Sequence, residues 1–142
     1  MPAIFIGLWL GAELAHWSDW WALWRGDETP FAQLLMTLAP KSVTSPIAML
    51  VAEQIGGVAA LAAVFVLITG VIGAIFGPPL LNLLKVHSPE ARGMALGMTA
   101  HAVGTSVALH EGEEAGAFAA LAMSLMGVGT AVFLPLAVTL VV

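Results

Sequence analysis

Charged side chains are scarce in this chain, and their scarcity limits the class of protein that it can be. Of its 142 residues, 9% are charged and 60% are hydrophobic, whereas a soluble domain carries roughly a quarter charged residues. Four basic and nine acidic residues are too few to coat a water-soluble globule of this size. A disordered chain would be far more polar. The composition therefore predicts an integral membrane protein.

Cysteine is absent as well, which excludes a disulfide framework and a cysteine-ligated metal site. The net charge of −5 gives no basic footprint, so we expect no nucleic-acid partner. His87, His101 and His110 lack the spacing of zinc ligands, and we expect neither a metal nor a cofactor. The sequence contains no recognisable nucleophile–base pair, phosphate loop or paired-carboxylate site, so the protein is predicted not to be an enzyme.

Long uncharged runs are present instead. Residues 54–84 and 115–142 carry no charge, and each run exceeds the ~20 residues that a helix needs to span the hydrocarbon core. Gly77-Pro78-Pro79 is expected to bend or end the first of these helices. The N-terminal stretch is apolar to Ala12 and then holds four of the five tryptophans between Trp17 and Trp24. Since tryptophan favours the membrane–water boundary, we expect a helix to leave the bilayer there.

Two further apolar stretches are interrupted near their centres. Residues 31–55 have two hydrophobic arms separated by Pro40 to Pro46, and residues 91–110 have two arms separated by residues 101–106. The sequence thus predicts an all-α, polytopic integral membrane protein that forms a single membrane domain over residues 1–142. We expect about five membrane-crossing helices, two of them broken at mid-membrane. The predicted crossings are residues 3–24, 31–55, 58–84, 91–110 and 115–141.

The basic residues predict an orientation for these five crossings. The five crossings would put Arg25, Lys85 and Arg92 on one side of the membrane. The acidic residues Glu53, Glu111, Glu113 and Glu114 would lie on the other. Because lysine and arginine collect in cytoplasmic loops, the first side is expected to be cytoplasmic.

Lys41 is the most informative residue, because it lies at the centre of a hydrophobic stretch with Ser42, Thr44 and Ser45 around it. A charge at the membrane centre costs at least ~2.5 kcal/mol on insertion scales, so such residues are functional by default. We expect Lys41 to face an anionic substrate, helped by the hydroxyls and by the helix N-terminus after Pro46. The alternative is a surface segment from which Lys41 reaches the lipid headgroups.

His101 lies in the second interruption and is followed by Gly104 and Thr105. At membrane depth an imidazole can donate to a carboxylate or relay a proton near neutral pH, and a satisfied structural histidine is the alternative. Glu111, Glu113 and Glu114 form an acidic cluster that fits a solvated turn before a helix, and Glu53 fits a rim position. The spacing of Gly73 and Gly77, like that of Gly93 and Gly97, favours tight helix packing.

Several segments together resemble the LrgB/CidB family. They are residues 39–49 (APKSVTSPIAM), 55–57 (IGG), 69–74 (TGVIGA), 91–97 (ARGMALG), 100–105 (AHAVGT), and 116–118 (GAF) with Ala122 and Met123. They follow one another in the family's order over residues 35–142, while residues 1–34 match only loosely. Ser45 and Ser106 replace the family's usual Thr and Ala. Family members are normally longer, so the chain resembles their C-terminal half, with one repeat of a two-repeat transporter.

The resemblance implies a bacterial plasma-membrane protein that is antiholin-like and acts with a small LrgA/CidA-like membrane partner on murein hydrolase activity and autolysis. It also implies movement of a small carboxylate such as glycolate, glycerate or pyruvate. On these grounds we expect the substrate-binding residues to be Lys41, Ser42, Thr44, Ser45, His101, Gly104 and Thr105. The expected partners are the lipid bilayer, that small protein, an organic anion and further copies of the chain. The alternatives are a holin-like regulator that acts by assembly, and a fragment without function.

Overall fold

The computed structural model of the chain describes residues 30–141, so the tryptophan-rich segment and its predicted helix lie outside the described residues. The regular structure within this range consists of five helices and includes no strand. They are α1 (Pro30–Leu38), α2 (Ser45–Gln54), α3 (Ala59–Leu83), α4 (Pro89–Glu111) and α5 (Glu113–Val141). The predicted all-helical class is therefore confirmed.

The two uncharged runs form the two longest helices, α3 with 25 residues and α5 with 29. At ~1.5 Å per residue both exceed the ~30 Å hydrocarbon core, and both are apolar enough to cross a membrane. Most of their leucine, isoleucine, valine and phenylalanine side chains lie on the outer surface. Helix α3 continues through Pro78 and Pro79 to Leu83, so of the two predicted effects, a bend or an end, the end does not occur. The fixed φ of proline is compatible with a helix, although each ring removes a backbone donor and clashes with the carbonyl of the preceding turn.

The first interrupted stretch folds as a hairpin, which we call the first hairpin (residues 30–54). After α1 the chain makes tight turns, with the Lys41 amide donating to Leu38 and the Val43 amide to Pro40. Extended backbone at Thr44 then leads into α2. The backbone N–H of Val58 donates to the Thr37 hydroxyl at 2.8 Å. The chain that leaves at Thr37 therefore returns to the same place before α3 begins.

The second interrupted stretch is also a hairpin, the second hairpin (residues 89–111). His101 has φ 42° and ψ −127°, outside the helical range, and it divides α4 into two arms. Arg92 and Glu111 form a salt bridge of 2.7 Å. In a straight helix two residues so far apart in sequence would be ~28 Å apart. The second arm therefore runs back along the first.

The predicted interruptions are confirmed, but neither stretch passes straight through as one crossing. The prediction that Arg92 and Glu111 lie on opposite sides of the membrane is wrong, because the two side chains are in contact. A break in a helix does not fix the direction in which the chain continues. Here contacts between distant residues reverse the chain at both breaks.

The two hairpins approach the middle of α3 from its opposite ends. The first hairpin packs near the start of α3, in a buried cluster that joins Val43, Ala48 and Ala52 to Ala62 and Val66 of α3. The second begins near the end of α3, where Arg92 donates to Asn82 at 2.8 Å, and it reaches Val66 through His101. Both turns therefore lie beside the central part of α3.

Helix α5 runs antiparallel to α3 and covers both hairpins. It starts at the base of the second hairpin, where Gly93 and Gly97 approach the backbones of Ala115 and Ala119 so closely that a Cβ would stand 2.1–2.2 Å from their carbonyl oxygens. Further along, Gly127 packs against Ile47 of the first hairpin. The predicted glycine contacts are thus internal to the chain.

Candidate binding site at the two hairpin tips

The tip of the first hairpin presents Lys41, whose side chain is exposed. The hydroxyls of Ser42, Thr44 and Ser45 are half-buried and make no hydrogen bond with other described residues. Thr44 precedes α2 without capping it, although threonine commonly caps helices. This tip therefore holds one cation and three hydroxyls that are free to bind a ligand.

The start of α2 adds backbone donors to this tip. The N–H groups of Ser45 and Ile47 lie in its first turn and have no acceptor among the described residues. Pro46 between them has no N–H, and its fixed φ suits the first turn of a helix. The helix begins at Ser45 rather than after Pro46, so these two donors lie next to the free hydroxyls. Unpaired amides at a helix start favour an anion.

The tip of the second hairpin is built around His101, which is 4% exposed. Its Nε2 lies 2.9 Å from the carbonyl oxygen of Val66. Because a carbonyl oxygen only accepts, Nε2 carries the hydrogen and donates. The ring makes no other hydrogen bond with a described residue, so Nδ1 has no hydrogen-bond partner among them.

Gly104 and Thr105 hold the turn at His101 rather than presenting free groups. The Thr105 hydroxyl donates to the His101 carbonyl oxygen at 2.9 Å and contacts the sulfur of Met123 in α5. A Cβ on Gly104 would stand 2.2 Å from the carbonyl oxygen of Leu96, so the two arms approach closely only because residue 104 is glycine.

Gly70 of α3 positions His101, a contact that the sequence did not predict. A Cβ on Gly70 would stand 2.6 Å from Cε1 of the imidazole, so the absence of a side chain there makes room for the ring. Gly73 and Gly77 of the same helix likewise leave room for the side chains of Ala100 and Leu96. Their spacing of three and four residues along α3 was the available signal, since it places them on one helix face.

Arg92 holds the base of the second hairpin. Its guanidinium donates two hydrogen bonds to the Glu111 carboxylate at 2.7 Å, and others to Asn82 and to the Val86 carbonyl oxygen. The hydrogen bonds to Arg92 lower the pKa of Glu111, and they raise the pKa of Arg92. One side chain thus ties both arms of the hairpin to the end of α3.

Other polar groups lie away from the tips. Glu113 and Glu114 are exposed in the first turn of α5, and Glu53 is exposed at the end of α2. The Ser88 hydroxyl donates to the Glu90 carboxylate, and this hydrogen bond lowers the pKa of Glu90. An open pocket of about 380 Å³ lies at the base of the second hairpin and is lined by His87, Pro89, Arg92, Glu111 and Ala115.

Comparison with known proteins agrees with the motif resemblance. The model of the LrgB-like family matches residues 1–140. Uncharacterized protein YxaC of Bacillus subtilis is 43% identical over 107 residues, which are 75% of this chain and 46% of that protein. Holin-like protein CidB of Staphylococcus aureus is 35% identical over 107 residues, 75% of this chain and 47% of that protein.

The matched region thus spans about half the length of these curated relatives. No solved structure gives a significant match. The family and the two long apolar helices together indicate a membrane protein. Since the family model covers nearly the whole sequence, the chain belongs to the LrgB-like family.

Proposed function

We propose that this protein carries a small carboxylate, of the glycolate, glycerate or pyruvate type, across the bacterial plasma membrane as a multi-pass membrane protein. The observation that supports this most is the approach of two hairpin turns to the middle of α3 from its opposite ends. Secondary transporters commonly build their substrate sites from interrupted helices that meet near the membrane midplane. Non-helical backbone at that depth is stable where it is buried in protein or lines a wet cavity.

The first tip supplies the groups that a carboxylate needs. Lys41 provides a positive charge, and the hydroxyls of Ser42, Thr44 and Ser45 are available as donors. The unpaired amides at the start of α2 add the positive end of a helix dipole. A carboxylate bound there would satisfy donors that other described residues leave unpaired.

The second tip has a different role in this proposal. His101 offers Nδ1 toward a ligand or a proton, while Gly104 and Thr105 hold its backbone in the turn. Because the ring already donates from Nε2 to α3, a ligand hydroxyl that donates to Nδ1 leaves that hydrogen bond intact.

Uptake of labelled glycolate and pyruvate by vesicles that contain the intact protein tests this function. Lys41→Ala removes the cation and is expected to lower uptake about ten- to hundredfold, the equivalent of a charge-assisted hydrogen bond worth ~1.5–3 kcal/mol. Lys41→Arg keeps the charge and serves as the matched control, with partial activity. Wild-type uptake by both Lys41→Ala and His101→Ala would remove the tips from the mechanism.

Effects on the cell wall follow in this proposal from altered carboxylate or proton flux. CidB is named a holin-like protein, and that name supports a link to murein hydrolase activity and autolysis. We include a small LrgA/CidA-like membrane protein as the partner through which such an effect is exerted. Co-purification of that protein with the intact carrier, from membranes solubilised in mild detergent, tests the partnership.

A holin-like regulator that acts by assembly is the second candidate. The outward apolar faces of α3 and α5, with Leu67 and Val128 each at least 60% exposed, are available to lipid or to further copies of the chain. Under this alternative Lys41→Ala leaves the effect on autolysis intact. Bulky replacements at Gly93 or Gly97 do not test assembly, because both glycines pack inside the chain.

A further inference from the structure

The chain repeats itself at a shift of 60 residues. When residues 41–62 are aligned without gaps to residues 101–122, eight of the 22 positions hold the same amino acid. The identical pairs are Val43/Val103, Ala48/Ala108, Glu53/Glu113, Gly56/Gly116, Ala59/Ala119, Ala60/Ala120, Leu61/Leu121 and Ala62/Ala122. Four other pairs are conservative: Ser45 with Thr105, Ile47 with Val107, Met49 with Leu109 and Gln54 with Glu114.

The structure gives both copies the same order of parts. Each consists of a hairpin followed at once by a long apolar helix, the first hairpin with α3 and the second hairpin with α5. Ala48 and its equivalent Ala108 are both fully buried, and Glu53 and Glu113 are both exposed.

Corresponding contacts also recur at this shift. Thr37 lies against Gly57 and Val58 at the start of α3. The residue equivalent to Thr37 in the second copy, 60 positions later, is Gly97, which lies against Ala119 near the start of α5. The agreement holds to within two residues, so this contact recurs at the same shift as the sequence.

The two copies have opposite orientations. Helices α3 and α5 are antiparallel, because the end of α3 and the start of α5 both lie at the base of the second hairpin, beside Arg92 and Gly93. The two hairpins accordingly reach Val66 from opposite ends of α3. Repeats related in this way are typical of secondary transporters, which bind substrate at the interface of the two repeats.

The shift pairs Lys41 at one tip with His101 at the other. We infer that residues 30–141 form an inverted repeat whose axis passes between the tips, so that Lys41 pairs with the carboxylate group of one small substrate molecule and Nδ1 of His101 contacts the same molecule from the opposite side. The shared site rests on the proposed transport function, whereas the repeat itself does not. The family resemblance implied one repeat in this chain, whereas this inference assigns two repeats to it.

Cysteine labelling tests the inversion without any substrate, because the natural chain contains no cysteine. The equivalent residues Gln54 and Glu114 are both exposed and lie at the bases of the two hairpins. In the intact protein, Gln54→Cys and Glu114→Cys are expected to react with a membrane-impermeant maleimide from opposite faces of oriented vesicles. Five straight crossings would place both on one face. Labelling of both from the same face overturns the inverted repeat.

Protection by substrate tests the shared site. The equivalent residues Pro46 and Ser106 are both exposed beside the tips. Pro46→Cys and Ser106→Cys, each measured as a single variant, are expected to be protected from the maleimide by glycolate or pyruvate with equal half-protecting concentrations. The equivalent pair Met49→Cys and Leu109→Cys, one turn further from the tips, serves as control and is expected to show no protection.

Protection of only one tip overturns the shared site. Loss of protection at both tips in vesicles that still take up the anion overturns it as well, and leaves the transport function standing. Absence of both protection and uptake overturns the proposed function together with the shared site. In that case the opposite labelling of Gln54→Cys and Glu114→Cys remains as the separate measure of the repeat.

Discussion

The imidazole of His101 donates a hydrogen bond from Nε2 to the backbone carbonyl of Val66, 35 residues earlier in the chain, at 2.9 Å. The side chain of the same Val66 packs in the buried cluster that contains Val43 of the first hairpin. One residue of α3 thus contacts both hairpins, through its backbone on one side and its side chain on the other.

Gly70→Ala is expected to break this arrangement. The new Cβ would stand 2.6 Å from Cε1 of His101 and 2.8 Å from Nε2, so the ring must move and the hydrogen bond to Val66 is lost. We expect a loss of about 1–3 kcal/mol in the free energy of unfolding, typical of an unsatisfied buried group. Denaturant or thermal unfolding in detergent measures it, and the imidazole nitrogen shifts in NMR spectra report the lost donor.

Gly129→Ala is the matched control, because a Cβ there meets nothing within 4 Å. Alanine in a helix is more favourable than glycine by roughly 0.5–1 kcal/mol, so this variant is expected to be as stable as the natural protein or more so. Equal destabilisation by both substitutions would show that the close approach at Gly70 is not the cause.

The sequence predicted where the helices break but not how the chain continues after each break. Prolines, glycines and polar residues mark both interruptions, and each has a local physical effect that can be inferred without a structure. The reversal of direction depends instead on Thr37 meeting Val58 and on Arg92 meeting Glu111. These partners are 21 and 19 residues apart, which is too far for local sequence patterns to predict the contact.

The predicted positions of Arg92 and Glu111 are wrong for a related reason. The prediction put them on opposite sides because it treats residues 91–110 as one crossing, yet the two side chains form a salt bridge at one hairpin base. The candidate site was likewise predicted only in part. The residue types at both tips follow from the sequence, whereas the space that Gly70 leaves for the His101 ring and the tautomer of that ring depend on packing against α3.

Labelling at the base of the second hairpin distinguishes the hairpin from a straight crossing. His87 and Glu113 are both exposed and flank the hairpin, so His87→Cys and Glu113→Cys are expected to react with an impermeant thiol reagent from the same face of oriented vesicles. Five straight crossings would put them on opposite faces. Reaction of the natural cysteine-free chain provides the blank, and labelling from two faces would rule out the hairpin.

Thr37 fixes the base of the first hairpin and is fully buried. Its hydroxyl accepts from Val58 N–H at 2.8 Å and donates to the Gln33 carbonyl oxygen at 2.6 Å. Thr37→Val keeps the shape but leaves the Val58 amide unpaired, and we expect a loss of about 1–3 kcal/mol in the free energy of unfolding. Thr37→Ser keeps the hydroxyl and should retain most of the stability. A serine variant as unstable as the valine variant would assign the effect to packing.

Arg92 and Glu111 are expected to stabilise the second hairpin in a pH-dependent way. Hydrogen bonds from Arg92 lower the pKa of Glu111 in the folded protein. A lowered carboxyl pKa stabilises the fold fully above its ordinary value of 4.5, and this contribution is lost as the pH falls through the folded value. The melting temperature of the natural protein is therefore expected to fall on acidification below that value.

Glu111→Gln removes the titrating group and is expected to cost about 1–2 kcal/mol at neutral pH, since the pair is only partly exposed. Its acid sensitivity below pH ~4.5 should be smaller than that of the natural protein. Glu113→Gln, at an exposed position two residues on, serves as the control and should leave the pH profile unchanged. A double-mutant cycle with Arg92→Gln isolates the pairwise term, and a coupling energy near zero would contradict a role for this ion pair in closing the hairpin.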